Sequence, residues 1–237
     1  MPTSVSGIGG RHRGAGGGAL RAGVFGVNDG LVSSACLIFG VAGAGADSKV
    51  IVLTGVAGLL AGAFSMAAGE YLSMLSQREM FEHQIGEERD ELERYPNEEA
   101  EELALIYAAR GIPIDEARGI AQRLIANPKQ ALDTLAREEL GLNPEDLGSP
   151  WGAAISSFIA FAIGAMLPLA PFLFGGGAMA LPIAIGVTGV ALFAVGAALS
   201  LFSGRNAFFG GVRMLMIGAL AGVATYGIGQ LLGVGVA

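Results

Sequence analysis

Apolar residues dominate five stretches of the 237-residue chain, at about 20–45, 50–75, 152–174, 177–202 and 209–235. Each is long enough to cross a bilayer as a helix, which takes roughly 20 residues. Between the second and third stretches the pattern changes to charged residues interleaved with apolar ones at helical spacing. The helical pattern of the second stretch does not stop at the membrane edge. It runs on through Gly69-Glu70-Tyr71 to about Arg94, and Pro96 ends it. A helix of about 44 residues would be about 65 Å long at 1.5 Å per residue and should protrude from the membrane. Further helices are expected over 97–110, 113–126 and 129–140, punctuated by Gly111-Ile112-Pro113, Asn127-Pro128 and Gly141. Leu103, Ile106 and Tyr107 share one face of the first of these, and Leu132, Leu135 and Leu140 one side of the last. The expected fold is all-α: a polytopic membrane protein with five transmembrane helices and an inserted cytoplasmic helical domain. The expected divisions are a mobile tail over 1–18, helices one and two within 19–76, the inserted domain over 77–149, and helices three to five within 150–237.

Composition agrees with that pattern. The chain is 52% hydrophobic, with 39 glycines and a mean hydropathy of +0.57, and glycine is more frequent in membrane helices than in soluble ones. Charge is unevenly placed. Residues 77–149 hold 18 of the 21 acidic side chains and only 8 of the 14 basic ones, a net −10, while the remainder carries +3. With no basic stripe, a nucleic-acid partner is excluded. The single Cys36 lies in an apolar run and cannot form a disulfide framework. Arg11, Arg13 and Arg21 precede the first apolar stretch. That stretch is too long for a signal-peptide core and lacks a clear cleavage site, so it is read as a retained membrane helix. Arg13-Gly-Ala-Gly-Gly-Gly has no preceding strand and no following Lys-Ser/Thr, so it is not a phosphate loop. The same arginines, with Arg205 and Arg213 beside the fourth-to-fifth connection, place the N-terminus and residues 76–150 in the cytoplasm and the C-terminus outside. Trp151 is expected as an interfacial anchor. Gly58-x-x-x-Gly62 and Gly218-x-x-x-Gly222 permit close helix approach, including between subunits. The short tail favours a prokaryotic cytoplasmic membrane, or a vacuolar one in a eukaryote.

Candidate chemistry begins with Asp29, deep in the first span. A carboxylate there costs about 3 kcal/mol on insertion scales, and such groups are usually buried against a partner, an ion or a water-filled path. Asp29 and Met66 each lie about nine residues from the cytoplasmic end of their spans. At 1.5 Å per residue that is a common depth of roughly 13 Å. A carboxylate with a thioether suits Fe²⁺, Co²⁺ or Mn²⁺ better than Ca²⁺ or Mg²⁺. Glu70, one turn nearer the cytoplasm, is a second charge beside this path. In the acidic segment Glu88 and Glu91 are spaced i, i+3, Glu99 and Glu102 repeat that spacing, and Glu138 and Glu139 come from the last cytoplasmic helix. Converging, they would make an oxygen-rich divalent-metal site. Otherwise they form a solvated acidic face, with Arg89, Arg94 and Arg137 offsetting part of the charge. No Cys/His zinc spacing occurs, and His83 is the segment's sole histidine.

Asn28-Asp29-Gly30-Leu31, the run Ser65-Met66-Ala67-Ala68-Gly69-Glu70-Tyr71-x-Ser73, and Arg137-Glu138-Glu139-Leu140-Gly141-Leu142 resemble the vacuolar iron transporter family. The resemblance spans about Ala22 to Val236. It implies five membrane helices, a dimer, a cytoplasmic metal-binding domain between helices two and three, and export of Fe²⁺, often with Mn²⁺, in exchange for protons. By this resemblance Asp29 and Met66 are membrane-embedded ion ligands, and Glu88, Glu91, Glu99, Glu102 and Glu139 are cytoplasmic metal-binding glutamates. The family's plant members place a methionine ligand one turn before the last of these, where this chain has Leu135-Ala136.

The expected function is therefore proton-coupled transport of divalent metal out of the cytosol. The chain is not expected to be an enzyme, and no cofactor is expected to be permanently bound. Metal is the substrate, protons are the coupling ion, and lipid and a second copy are the partners. The alternative is a non-transporting membrane metal sensor or buffer. A membrane ferroxidase is disfavoured because no Glu-x-x-His pair is present.

Overall fold

The computed structural model describes residues 16–175 and 177–234. Arg11, Arg13 and most of the expected tail lie outside them. The described chain is all helical: α1 (Gly16–Gly43), α2 (Ser48–Arg94), α3 (Pro96–Ala109), α4 (Ile114–Ile125), α5 (Pro128–Glu138), α6 (Pro150–Leu173), α7 (Ala180–Phe202) and α8 (Ala207–Val234). Five of these are long and apolar enough to cross a membrane. Contacts divide the described residues into two compact units, one of residues 73–149 and the other of residues 17–72 and 150–234.

The first unit comprises the end of α2 with α3, α4 and α5. Pro96 and Pro128 open α3 and α5, where a missing backbone N–H is harmless. Arg110 closes α3, and Gly111 turns the chain at φ +100°, a conformation that favours glycine. Leu103, Ala104, Ala117, Ala121 and Leu135 pack into the core of this unit. α5 stops at Glu138, two residues before the expected end, because Gly141 with φ +66° reverses the chain.

The second unit packs α1, the first half of α2, α6, α7 and α8 around Ile38, Ala63, Phe161, Ala165 and Leu169. Small residues set its helix approaches. A Cβ added to Gly30 would stand 2.1 Å from the Phe161 carbonyl oxygen, and one added to Gly164 would stand 2.1 Å from that of Val27. α1 and α6 thus meet backbone to backbone. The Gly58/Gly62 and Gly218/Gly222 pairs act within the chain: Gly58 accepts Leu37, Gly62 accepts Phe161, Gly218 accepts Leu192 and Gly222 accepts Phe39. Trp151 opens α6 with its ring 4.9 Å from that of Tyr71. Large apolar side chains such as Leu53, Leu60, Phe64, Leu220, Val223 and Leu231 stay exposed, as a lipid-facing surface requires.

Candidate functional site

Two constellations bear chemistry, one in each unit. In the membrane-spanning unit, Gly26 and Gly30 set α1 close against α6. Asp29 and Ser33, one turn apart, flank that contact. They line a cavity of about 300 Å³ with Ser34 and Leu37 of α1, Gly58, Gly62, Ser65 and Met66 of α2, and Phe161 of α6. Asp29 and Met66, matched in depth by residue count, therefore share one cavity. Asp29 is exposed in the single chain and Met66 half-buried. Glu70, one turn beyond Met66, is half-buried on α2 and is not among the lining residues.

Three serines on this lining were not anticipated. Ser34 is buried and donates to the carbonyl of Ala165 on α6 at 3.1 Å. Ser33 donates to the carbonyl of Asp29 at 2.6 Å. Ser65 precedes Met66. Their signal was present in the sequence, since Ser33 stands four residues after Asp29, but isolated serines in an apolar run usually bond their own helix.

The second constellation is built from Glu88 of α2, Glu99 of α3 and Glu139 at the end of α5. One carboxylate oxygen from each lies within 4.8 Å of the others. Glu88 is only 4% exposed and Glu99 5%, and Glu88 Oε1 and Glu99 Oε2 are buried with no hydrogen-bond partner. Crowded buried carboxylates resist ionisation. Burial, followed by the charges of Glu139 and Glu99 and then that of Glu91, pushes Glu88 up to about 8. Burial also raises Glu99, against a hydrogen bond with Glu88 that favours its charged form. In Glu139 burial acts first, followed by the charges of Glu102 and Glu91. Glu91 and Glu102 are exposed at the rim of the group.

Arg94 and Arg137 offset charge of the acidic segment, but at aspartates outside the cluster. Arg94 lies 3.6 Å from Asp90, and Arg137 lies 2.9 Å from Asp133. Arg118 pairs with Glu101, and Arg110 pairs with Glu138. Glu138 is thus directed to Arg110, and its neighbour Glu139 enters the cluster in its place. Among the described residues no ion pair joins Glu88, Glu91, Glu99, Glu102 or Glu139 to a cation. His83 stands 3.6 Å from Glu87 on an exposed stretch of α2, outside the cluster. Leu135 and Ala136 are fully buried, Leu135 in the core, and neither side chain carries a sulfur for the group. Three convergent carboxyl groups without a countercharge form a hard-oxygen site suited to a divalent cation.

The chain has relatives among known proteins. The model of the VIT family matches residues 20–230. A protein of Acanthamoeba castellanii named vacuolar iron transporter is 39% identical over 90% of this chain and 78% of its own length. Vacuolar iron transporter 1 of Oryza sativa subsp. japonica is 34% identical over 87% of this chain and 82% of its own. A vacuolar iron transporter of Toxoplasma gondii is 33% identical over 90% and 74% respectively.

Proposed function

The chain belongs to the VIT family, a membrane metal transporter rather than an enzyme, and from that premise we propose that it carries Fe²⁺, and Mn²⁺ besides, out of the cytosol in exchange for protons. The observation that carries this reading is the cavity shared by Asp29 and Met66 inside the membrane-spanning unit. A carboxylate and a thioether at one depth offer a dehydrated borderline cation both charge and a polarisable ligand. The alternative of a sensor or buffer would leave this carboxylate without a purpose.

The acidic unit is the capture station, on the cytoplasmic side. Its carboxyl groups hold protons when empty and exchange them for a divalent ion, because ligands must be deprotonated to bind. Metal then passes to Asp29 and Met66, and a proton reaching Asp29 from the far side weakens its hold and releases the ion. Asp29 stands exposed on a membrane helix of a single chain. A second copy covering that face, as a homodimer, would shield it from lipid.

Reconstitution of the full chain in liposomes tests this reading. With Fe²⁺ or Mn²⁺ on the side of the acidic unit and a proton gradient directed toward it, metal should cross and protons should move oppositely. Collapse of the gradient should slow both. Metal flux indifferent to the gradient would remove the proton coupling, and no flux of any divalent ion would remove the transport reading.

A further inference from the structure

We propose that the hydroxyl oxygen of Ser33 is a direct ligand for the transported cation in the membrane cavity, and that it sets how well the path accepts harder ions such as Mn²⁺. The inference rests on the transport reading above and adds a residue to it. A serine hydroxyl has one proton and two lone pairs. In Ser33 that proton is engaged by the carbonyl oxygen of Asp29, 2.6 Å away. The oxygen is thereby left as an acceptor, on the lining of the cavity that Asp29 and Met66 share. Asp29 and Ser33 are one turn apart on α1, so the carboxylate and the hydroxyl stand on the same face.

The neighbouring serine shows the contrast. Ser34 also borders the cavity, but it is 4% exposed and its proton goes to the Ala165 carbonyl of α6. It joins two helices, whereas the bond made by Ser33 is local to α1 and holds no other element. Asp29 and Met66 alone would give a cation one hard and one soft ligand. Fe²⁺ gains from the thioether, while Mn²⁺ depends more on oxygen. A second oxygen beside the carboxylate therefore helps Mn²⁺ more than Fe²⁺.

The test uses the full chain in liposomes, with initial flux measured against concentration for Fe²⁺, kept reduced, and for Mn²⁺. A neutral contact to a charged partner is worth about tenfold in affinity. Ser33→Ala should raise the half-saturating Mn²⁺ concentration about tenfold and that of Fe²⁺ clearly less. Ser33→Thr, which keeps the hydroxyl, should restore both. Ser34→Ala should lower the melting temperature in detergent, since it breaks the bond between α1 and α6. An unchanged preference in Ser33→Ala while the wild type transports overturns the proposal alone. The same holds if Ser33→Ala melts early and Ser33→Thr fails to rescue, since the hydroxyl is then structural. A wild type that moves neither metal removes the transport reading and this proposal with it.

Discussion

At the scale of single residues, the chemistry of the membrane-spanning unit rests on a few polar and soft side chains along one cavity. Among the described residues, Asp29 is the only acidic one lining the cavity shared by α1 and α2. Partners around a metal's own ligands are commonly worth 10- to 100-fold in affinity or activity, and loss of the carboxylate itself should be at least as severe. Asp29→Ala is expected to lower Fe²⁺ flux by more than about tenfold while leaving insertion intact. Asp29→Asn should do nearly the same, since an amide neither neutralises the ion nor carries a proton. Wild-type flux in both would remove Asp29 from the path. Met66→Ala should lower Fe²⁺ flux while sparing Mn²⁺, because it deletes the soft ligand. Equal losses for both metals would show that Met66 fills space instead.

At the scale of elements, α2, α3 and α5 bring Glu88, Glu99 and Glu139 together, and the charges of Glu139 and Glu99 bear on Glu88. Glu88 stays protonated up to about pH 8 in the folded chain and would ionise near 4.3 in an unfolded one. The folded state therefore binds more protons between those values. Without metal, stability should be greatest below that window and fall as pH rises through it. Divalent metal should reverse the trend, with affinity rising toward pH 8 as the carboxyl groups give up their protons. Thermal melts of the full chain from pH 5 to 8.5, with and without Mn²⁺, check both signs, and parallel curves would refute the cluster as a metal site. Replacing Glu88, Glu91, Glu99 and Glu102 together by glutamine should weaken transport at low metal concentration and preserve some at high concentration. A variant dead at every concentration would contradict the order of capture followed by transfer. Much of this was legible in the sequence. Pro96, Pro128 and Gly141 punctuate the helices of the acidic segment, and the length of the apolar runs marks the spans. The common depth of Asp29 and Met66 follows from counting residues. Spacing alone did not separate the adjacent Glu138 and Glu139; the family resemblance pointed to Glu139, and in the structure Arg110 pairs with Glu138 while Glu139 joins the cluster. Nor could spacing show that Gly58 and Gly62 accept Leu37 and Phe161, since a glycine pair looks the same whichever helix it meets.

At the scale of the whole molecule, the contact of α1 with α6 differs in kind from that of α1 with α2. Gly30 and Gly164 press against carbonyl groups of the opposing backbone, and neither partner has a rotamer with which to yield. Between α1 and α2 the close approach is made by the tip of Leu37 against Gly58, and a side-chain tip can swing aside at little cost. The seam between α1 and α6 should therefore behave as a weld and that between α1 and α2 as a sliding joint. Alternating access, if Asp29 is to face first one side and then the other, must then come from movement of α2 past a fixed α1–α6 pair. Cysteine cross-links locking α1 to α6 should leave flux standing, and links locking α1 to α2 beside the cavity should arrest it until they are reduced. The reverse result would mean that the seam with no slack is the one that moves.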